Sequence, residues 1–227
     1  MAITYPLTMP TVTGMARISL RAINGTLLTR SPFTYKEQVQ TFGAQRWEAD
    51  ISLPPMKRAA AETWIAWLMS LKGQRGTFYL SDPTAYTPRG SARDTNTIEV
   101  FNNGTTIVPA NDTIYFDTDQ NNVTGYLKAG DYIQLGTGAD GTQHLHKVLQ
   151  DVNTDENGGC EVVIWPNIRR AAHKTDDYAD IKVQNTAGIF RLNSSETTWD
   201  INQAQTYGLN FTAVENIITD ISGEIAQ

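Results

Sequence analysis

The chain has a single cysteine, Cys160, so an intramolecular disulfide is excluded. A lone thiol fits assembly in a reducing cytosol. There are only three histidines, little material for a metal centre. No apolar run approaches the roughly 20 residues needed to span a bilayer, so no membrane partner is expected. Residues Met1-Ala-Ile-Thr-Tyr-Pro6 lack the basic and apolar stretches of a secretory signal, and none is expected. Neither a Gly-x-Ser-x-Gly elbow nor a Cys–His motif occurs, which removes the commonest signatures of nucleophilic hydrolases. A strong basic field is missing as well, and with it the footprint of a nucleic-acid-binding domain.

The charge that is present is unevenly spread. Residues 1–93 carry 11 Lys and Arg against 5 Asp and Glu, whereas residues 94–227 carry 7 against 19. The halves are therefore net +6 and −12, which together give the overall −6. Two readings fit the acidic part: a solvated surface, or like charge facing a passage through which DNA slides without sticking.

The most informative stretch is 32–83. In Arg46-Trp-Glu-Ala-Asp-Ile-Ser-Leu53 the apolar residues Trp47, Ala49, Ile51 and Leu53 alternate with Glu48, Asp50 and Ser52, the period of a half-buried strand. Pro54-Pro55 ends strand pairing, and Pro55 suits the first turn of a helix. The pattern then predicts a helix over 56–72. Ala60, Trp64, Trp67, Leu68 and Leu71 form one apolar stripe, Lys57, Arg58 and Glu62 lie off it, and Gly73 is placed just past the end as the C′ residue. The tryptophans read as core packing, with sugar stacking as the alternative. A second strand, Thr77–Leu80, precedes Ser81-Asp82-Pro83.

Further strands are expected near Gly14–Ala22 and Phe33–Gln40. Residues 84–96 are polar and rich in helix and strand breakers, a linker by composition. After them come short strands about ten residues apart with no helix between: Ile98–Phe101 before the turn Asn102-Asn103-Gly104, then Asp131–Leu135, Gln143–Asp151 and Cys160–Trp165. That spacing predicts a small barrel or sandwich. Ile189–Leu192, Thr197–Ile201 and Tyr207–Glu215 return to patterns like those of the N-terminal part, and Ile217–Gln227 reads as a tail or arm. The expected organisation is one β domain, 1–93 with 183–227, interrupted by an inserted β-barrel domain, 94–182.

Constellations that could carry chemistry are incomplete. Asp117-Thr-Asp119-Gln-Asn121 begins like a calcium loop, but Asn122 stands where glycine is needed and Lys128 where a bidentate glutamate is needed. Asp151-Val-Asn153-Thr-Asp155 departs in the same way, with Glu156 and Val162 at those positions. Both read as hairpin turns. His144 and His146 fall on one face of a strand, where a metal could be held with His173, although an exposed polar face is the simpler reading. Gly136-Thr-Gly138-Ala-Asp140-Gly141 is glycine-rich, but no helix follows to bind phosphate. No catalytic, metal or cofactor-binding residue is therefore nominated, and no cofactor is expected.

Several motifs carry a resemblance. Ser31-Pro-Phe-Thr-Tyr35, Gln45-Arg-Trp47 leading into the Pro-Pro helix, Leu71-Lys-Gly-Gln-Arg-Gly-Thr-Phe78 and Ser81-Asp-Pro83 resemble tail proteins of long-tailed bacteriophages. Leu127-Lys-Ala-Gly-Asp131-Tyr-Ile-Gln-Leu-Gly136, His146-Lys-Val148, Ile164-Trp-Pro-Asn-Ile168-Arg, Phe190-Arg-Leu192 and Phe211-Thr-Ala-Val-Glu215 extend it over about 31–215. The nearest type is the distal tail protein of siphophages. The resemblance implies a mainly β virion structural protein: a tail-tube-like β-sandwich with one flanking α-helix, plus an inserted OB-like barrel. It implies a homo-oligomer, a hexameric ring at the tail tip, assembled in the host cytoplasm. Its partners would be the tail tube protein and the baseplate hub or tail-tip proteins, with genomic DNA passing through the lumen without specific binding. It brings no catalytic residues. Two other classes stay open: a receptor- or carbohydrate-binding module using Tyr115, Tyr126 and Tyr132 as exposed aromatics, and a cell-wall hydrolase for which no carboxylate pair can be named.

Overall fold

A computed structural model describes residues 3–100, 112–136, 143–168 and 181–217. The turn expected at 102–104, the glycine-rich stretch 137–141, His173 and the arm beyond Ile217 lie outside the described residues. The described chain is mainly β, with one helix.

A first sheet of five antiparallel strands has the order β1 (Arg17–Arg30), β2 (Glu37–Ser52), β13 (Asn210–Glu215), β10 (Gly188–Leu192), β3 (Thr77–Leu80). Its last three strands in this order come from both ends of the chain, so residues after 187 complete a sheet begun before residue 81. The outer edge of β3 is covered by Leu7, which bridges Phe78 in parallel, with Leu7 N–H donating to the Thr77 carbonyl at 2.8 Å. Trp47, Ala49, Ile51 and Leu53 are all buried, as their alternation requires. On the opposite face Arg21 reaches both Glu48 and Asp50, each at 3.3 Å, a cross-strand charge pairing.

Helix α1 spans Arg58–Ser70, shorter at both ends than the expected 56–72. Met56 instead pairs with Tyr207: its N–H donates to the Tyr207 carbonyl at 3.1 Å, and Tyr207 N–H donates back at 2.8 Å. That pairing holds Pro55 outside the helix. Lys57 occupies the N-cap and offers no capping oxygen. At the other end Lys72, with φ 52°, takes the left-handed C′ position expected for Gly73, and Gly73 follows at φ 67°. A side chain at Gly73 would also meet Ser195 Cα at 2.9 Å. The helix buries Ala61, Trp64, Ile65, Trp67 and Leu68 against the sheet. Trp64 and Trp67 pack edge-on with ring centroids 5.6 Å apart, and Trp67 meets Phe78 at 5.1 Å. Among the described residues neither indole N–H has a hydrogen-bond partner.

The second sheet has the order β4 (Ile98–Val100), β5 (Thr113–Thr118), β8 (Gly159–Trp165), β7 (His144–Val148), β6 (Tyr132–Leu135), β9 (Ile181–Lys182). The two end strands, β4 and β9, lie against each other, so the sheet nearly closes into a barrel. Ile114 and Phe116 of β5 and Val162 and Ile164 of β8 fill it, with Tyr126 and Leu127 from the connecting loop. Ala92 and Val183, just outside the expected limits 94–182, belong to this same core. Two carboxylates tie the entering segment to it. Asp131 accepts from the backbone N–H groups of Arg89 (2.8 Å) and Gly90 (3.1 Å), and Asp94 accepts from those of Val183 (2.8 Å) and Gln184 (3.0 Å). A small hairpin, β11 (Asp200–Ile201) with β12 (Tyr207–Gly208), completes the fold.

Candidate functional site: an exposed hairpin and the cleft at its base

Sequence periodicity suggests separate strands at 14–22, 33–40 and 47–53. The chain instead builds one long antiparallel hairpin from β1 and β2, with register from Arg17↔Ser52 to Arg30↔Glu37. The register shifts between Asn24 and Thr26. Gly25 makes that bulge possible: a Cβ there would lie 2.9 Å from Ala44 Cβ. Below the bulge one face of β2 is core. Beyond it residues 26–44 are exposed on both faces, apart from the half-buried Ser31 at the turn.

This free arm is not polar throughout. Leu27, Leu28, Val39 and Phe42 stand in solvent along it, and Phe33, at its tip, is 92% exposed with Tyr35 beside it. The tip is tightly formed. Ser31 N–H donates to the Lys36 carbonyl and Tyr35 N–H to the Ser31 carbonyl, each at 3.0 Å, and Tyr35 is held at φ 54°. Arg30 pairs with Glu37 across the base of the turn. Among the described residues nothing pairs with the outer edge of β1, so its N–H and C=O groups form an open edge.

The barrel grips this hairpin at its base. Trp47 donates its indole N–H to the Leu145 carbonyl at 2.9 Å and meets Trp165 edge-on at 4.6 Å. Trp165 in turn donates to Asn24 Oδ1 at 2.7 Å, and Asn167 N–H donates to Gln45 Oε1 at 2.7 Å. Glu215 accepts from the backbone N–H of Trp47 at 3.0 Å and lies 3.5 Å from His144 Nδ1. The arm thus projects from a clamp rather than from a loose loop.

At the foot of the hairpin is a cleft of about 310 Å³. Leu68 of the helix, Phe211 of β13 and Leu192 of β10 supply its apolar side. Asp50, Glu196, Thr198 and Asn210 supply polar groups, and among the described residues no Lys or Arg lines it. Asp50 is engaged by Arg21, whereas Glu196 forms no ion pair among the described residues.

The residues singled out from sequence fall elsewhere. His144 and His146 are 2% and 0% exposed, not on an exposed polar face. Strand β7 has packing on both sides, Leu145 in the first core and Val148 in the second, and His146 Nδ1 lies 2.6 Å from the Pro166 carbonyl. Among the described residues no cluster of three or more His, Cys, Asp or Glu could hold a metal ion. Asp155 caps a turn, accepting from the N–H groups of Asn157 and Gly159, each at 2.8 Å. Asp151 accepts from Ala129 N–H and Lys128 Nζ, each at 2.9 Å, and these bonds, the backbone one foremost, hold its carboxyl below the usual range. Asp117 lies in β5 with the turn following at 119–122, whereas 151–155 is not the expected turn: it runs extended, Val152 bridging Leu127, and the turn follows it at 156–158.

The expected aromatic platform does not exist. Tyr126 and Tyr132 are buried and Tyr115 is half-buried. Tyr126 lies wholly inside the barrel, and burial, opposed by a hydrogen bond with Thr118, pushes its hydroxyl from 10.0 up to about 12. Burial likewise pushes the Cys160 thiol up to about 12, with Asp155 adding to it, so this thiol is no ready nucleophile or ligand.

Comparison with protein-family models gives no match, and comparison with curated proteins gives none. Among the described residues no helix is long and apolar enough to cross a membrane.

Proposed function

We propose that the chain is a structural subunit of a bacteriophage tail, of the distal tail protein type, and not an enzyme. Copies assemble into a ring, six in number by the resemblance, that joins the tail tube to the baseplate or tail tip and leaves a lumen for DNA. On this reading the first sheet with its flanking helix is the tail-tube-like ring-forming sandwich, and the nearly closed second sheet is an OB-like barrel carried outside it.

The supporting observation is the hairpin. An isolated two-stranded ribbon is marginally stable in water, yet this one holds apolar side chains in solvent on both faces and keeps one edge unpaired. A subunit that pairs with its neighbours has a use for both features. The edge of β3 is covered and the second sheet nearly closes on itself, so among the described strands of these two sheets β1 offers an edge where strand pairing can continue.

Native mass measurement and light scattering across protein and salt concentration test the reading, together with imaging of purified protein and of antibody-labelled virions. A ring-sized species at the tail tip is the expected result. A strictly monomeric protein that is also absent from virions defeats it.

A further inference from the structure

We propose that the hairpin tip of one copy, centred on Phe33, seats in the cleft beside Phe211 of a neighbouring copy. The inference rests on the assembly reading above and names one contact within it.

The tip and the cleft match in several respects. Phe33 and Tyr35 are the two most exposed large apolar side chains of the described chain, and both stand on one turn. That turn is already ordered by its own hydrogen bonds and the Arg30–Glu37 pair, so docking orders little new backbone. The cleft, about 310 Å³, exceeds the roughly 150 Å³ that accepts a benzene ring. Its apolar side offers Phe211, Leu68 and Leu192 to an aromatic ring. Its charge is complementary as well. Among the described residues Lys36 at the tip makes no ion pair, nor does Glu196 in the cleft, and no Lys or Arg lines that cleft.

The occupant must come from another copy. The tip lies some 14 residues along β2 from Asp50, roughly 46 Å at about 3.3 Å per residue, with both strands clamped at the base. A paired ribbon held at its base cannot fold back over that distance to its own cleft. A tip-to-cleft contact joins two different patches, which is a head-to-tail arrangement that closes into a ring or continues as a filament.

The test uses the full chain, whose natural thiol is buried. Phe33→Cys and Thr198→Cys are made separately, mixed and treated with a short thiol-to-thiol cross-linker. Dimers several-fold above those of either variant alone are expected. Phe33→Ser is expected to weaken association on the order of tenfold, the effect of losing an aromatic anchor, with an unchanged melting temperature at concentrations where the chain is monomeric, because the ring is 92% exposed in its own chain. Lys36→Glu should weaken association too, and adding Glu196→Lys should restore it. If the natural chain associates while the mixed variants do not cross-link and Phe33→Ser assembles normally, this contact is wrong and the ring reading survives. Assemblies in which the Thr198→Cys thiol still reacts freely with maleimide also overturn the contact, since the cleft is then open to another occupant. A chain that is monomeric throughout and never cross-links overturns both.

Discussion

The indole N–H of Trp47 lies 2.9 Å from the carbonyl oxygen of Leu145, and this bond joins the first sheet to the second across 98 positions of sequence. Around it Trp165 and Tyr132 pack on the same indole, with centroids at 4.6 and 6.1 Å. Trp47→Ala should therefore cost about 3–5 kcal/mol, the range for a core aromatic. Trp47→Phe keeps much of the packing but leaves the Leu145 carbonyl unpaired, and should cost about 1–3 kcal/mol. Denaturant melts of both variants check the order; equal costs would show that the bond contributes nothing beyond the ring.

The same seam bears on whether the barrel can be removed. Breaker-rich residues at 84–96 suggest a separable insertion, but Tyr132 and Leu145 complete the first core. Deleting 94–182 with a short Gly/Ser bridge should leave Trp47 bare and yield a poorly soluble or loosely packed product. Near-ultraviolet circular dichroism and melting cooperativity report on this. A truncated chain that melts sharply at the full-length midpoint would show that the seam is dispensable.

In the helix, Trp64 is fully buried, whereas Lys57 holds only the exposed Ala204 carbonyl, at 3.0 Å. Trp64→Ala should cost about 3–5 kcal/mol. Lys57→Ala should cost under about 0.5 kcal/mol. Similar melts for the two would place the stripe against something other than the sheet.

Alkali should unfold the barrel first. Tyr126 and Cys160 are both pushed up to about 12 by burial, which favours their neutral forms. For an acid whose folded pKa is raised, the stabilisation is complete below the unfolded value and is lost as pH rises through the folded one. Stability should hold up to about pH 9 and fall between there and pH 12. Tyr126→Phe keeps the ring and removes one titrating group, so the decline should become shallower. An unchanged slope would assign the loss to other groups.

Much of this fold is legible in the sequence where periodicity is local. The alternation from Trp47 to Leu53 marks a half-buried strand, and the stripe through Trp64, Trp67 and Leu68 marks the helix face. The helix ends are less legible, because the partner of Met56 is Tyr207, far along the chain. His144 and His146 mislead for a related reason: a strand covered on both sides loses its polar face, and residue type no longer reports exposure. The exposed arm is hidden most thoroughly. Leu27, Leu28, Val39 and Phe42 carry the composition of a packed strand, and the strands expected near 14–22 and 33–40 stop short of the continuous ribbon that the structure carries through its bulge.

That bulge sets an angle. Gly25 lets the two strands close to a separation that a side chain would prevent, and the arm leaves the body in the direction fixed there. If neighbouring copies meet through their arms, the bend at residue 25 sets part of the rotation from one copy to the next. A closed circle forms only when that rotation divides a full turn evenly. A few degrees gained or lost at one glycine would then change the number of members, or open the circle into a spiral, without altering any contact surface.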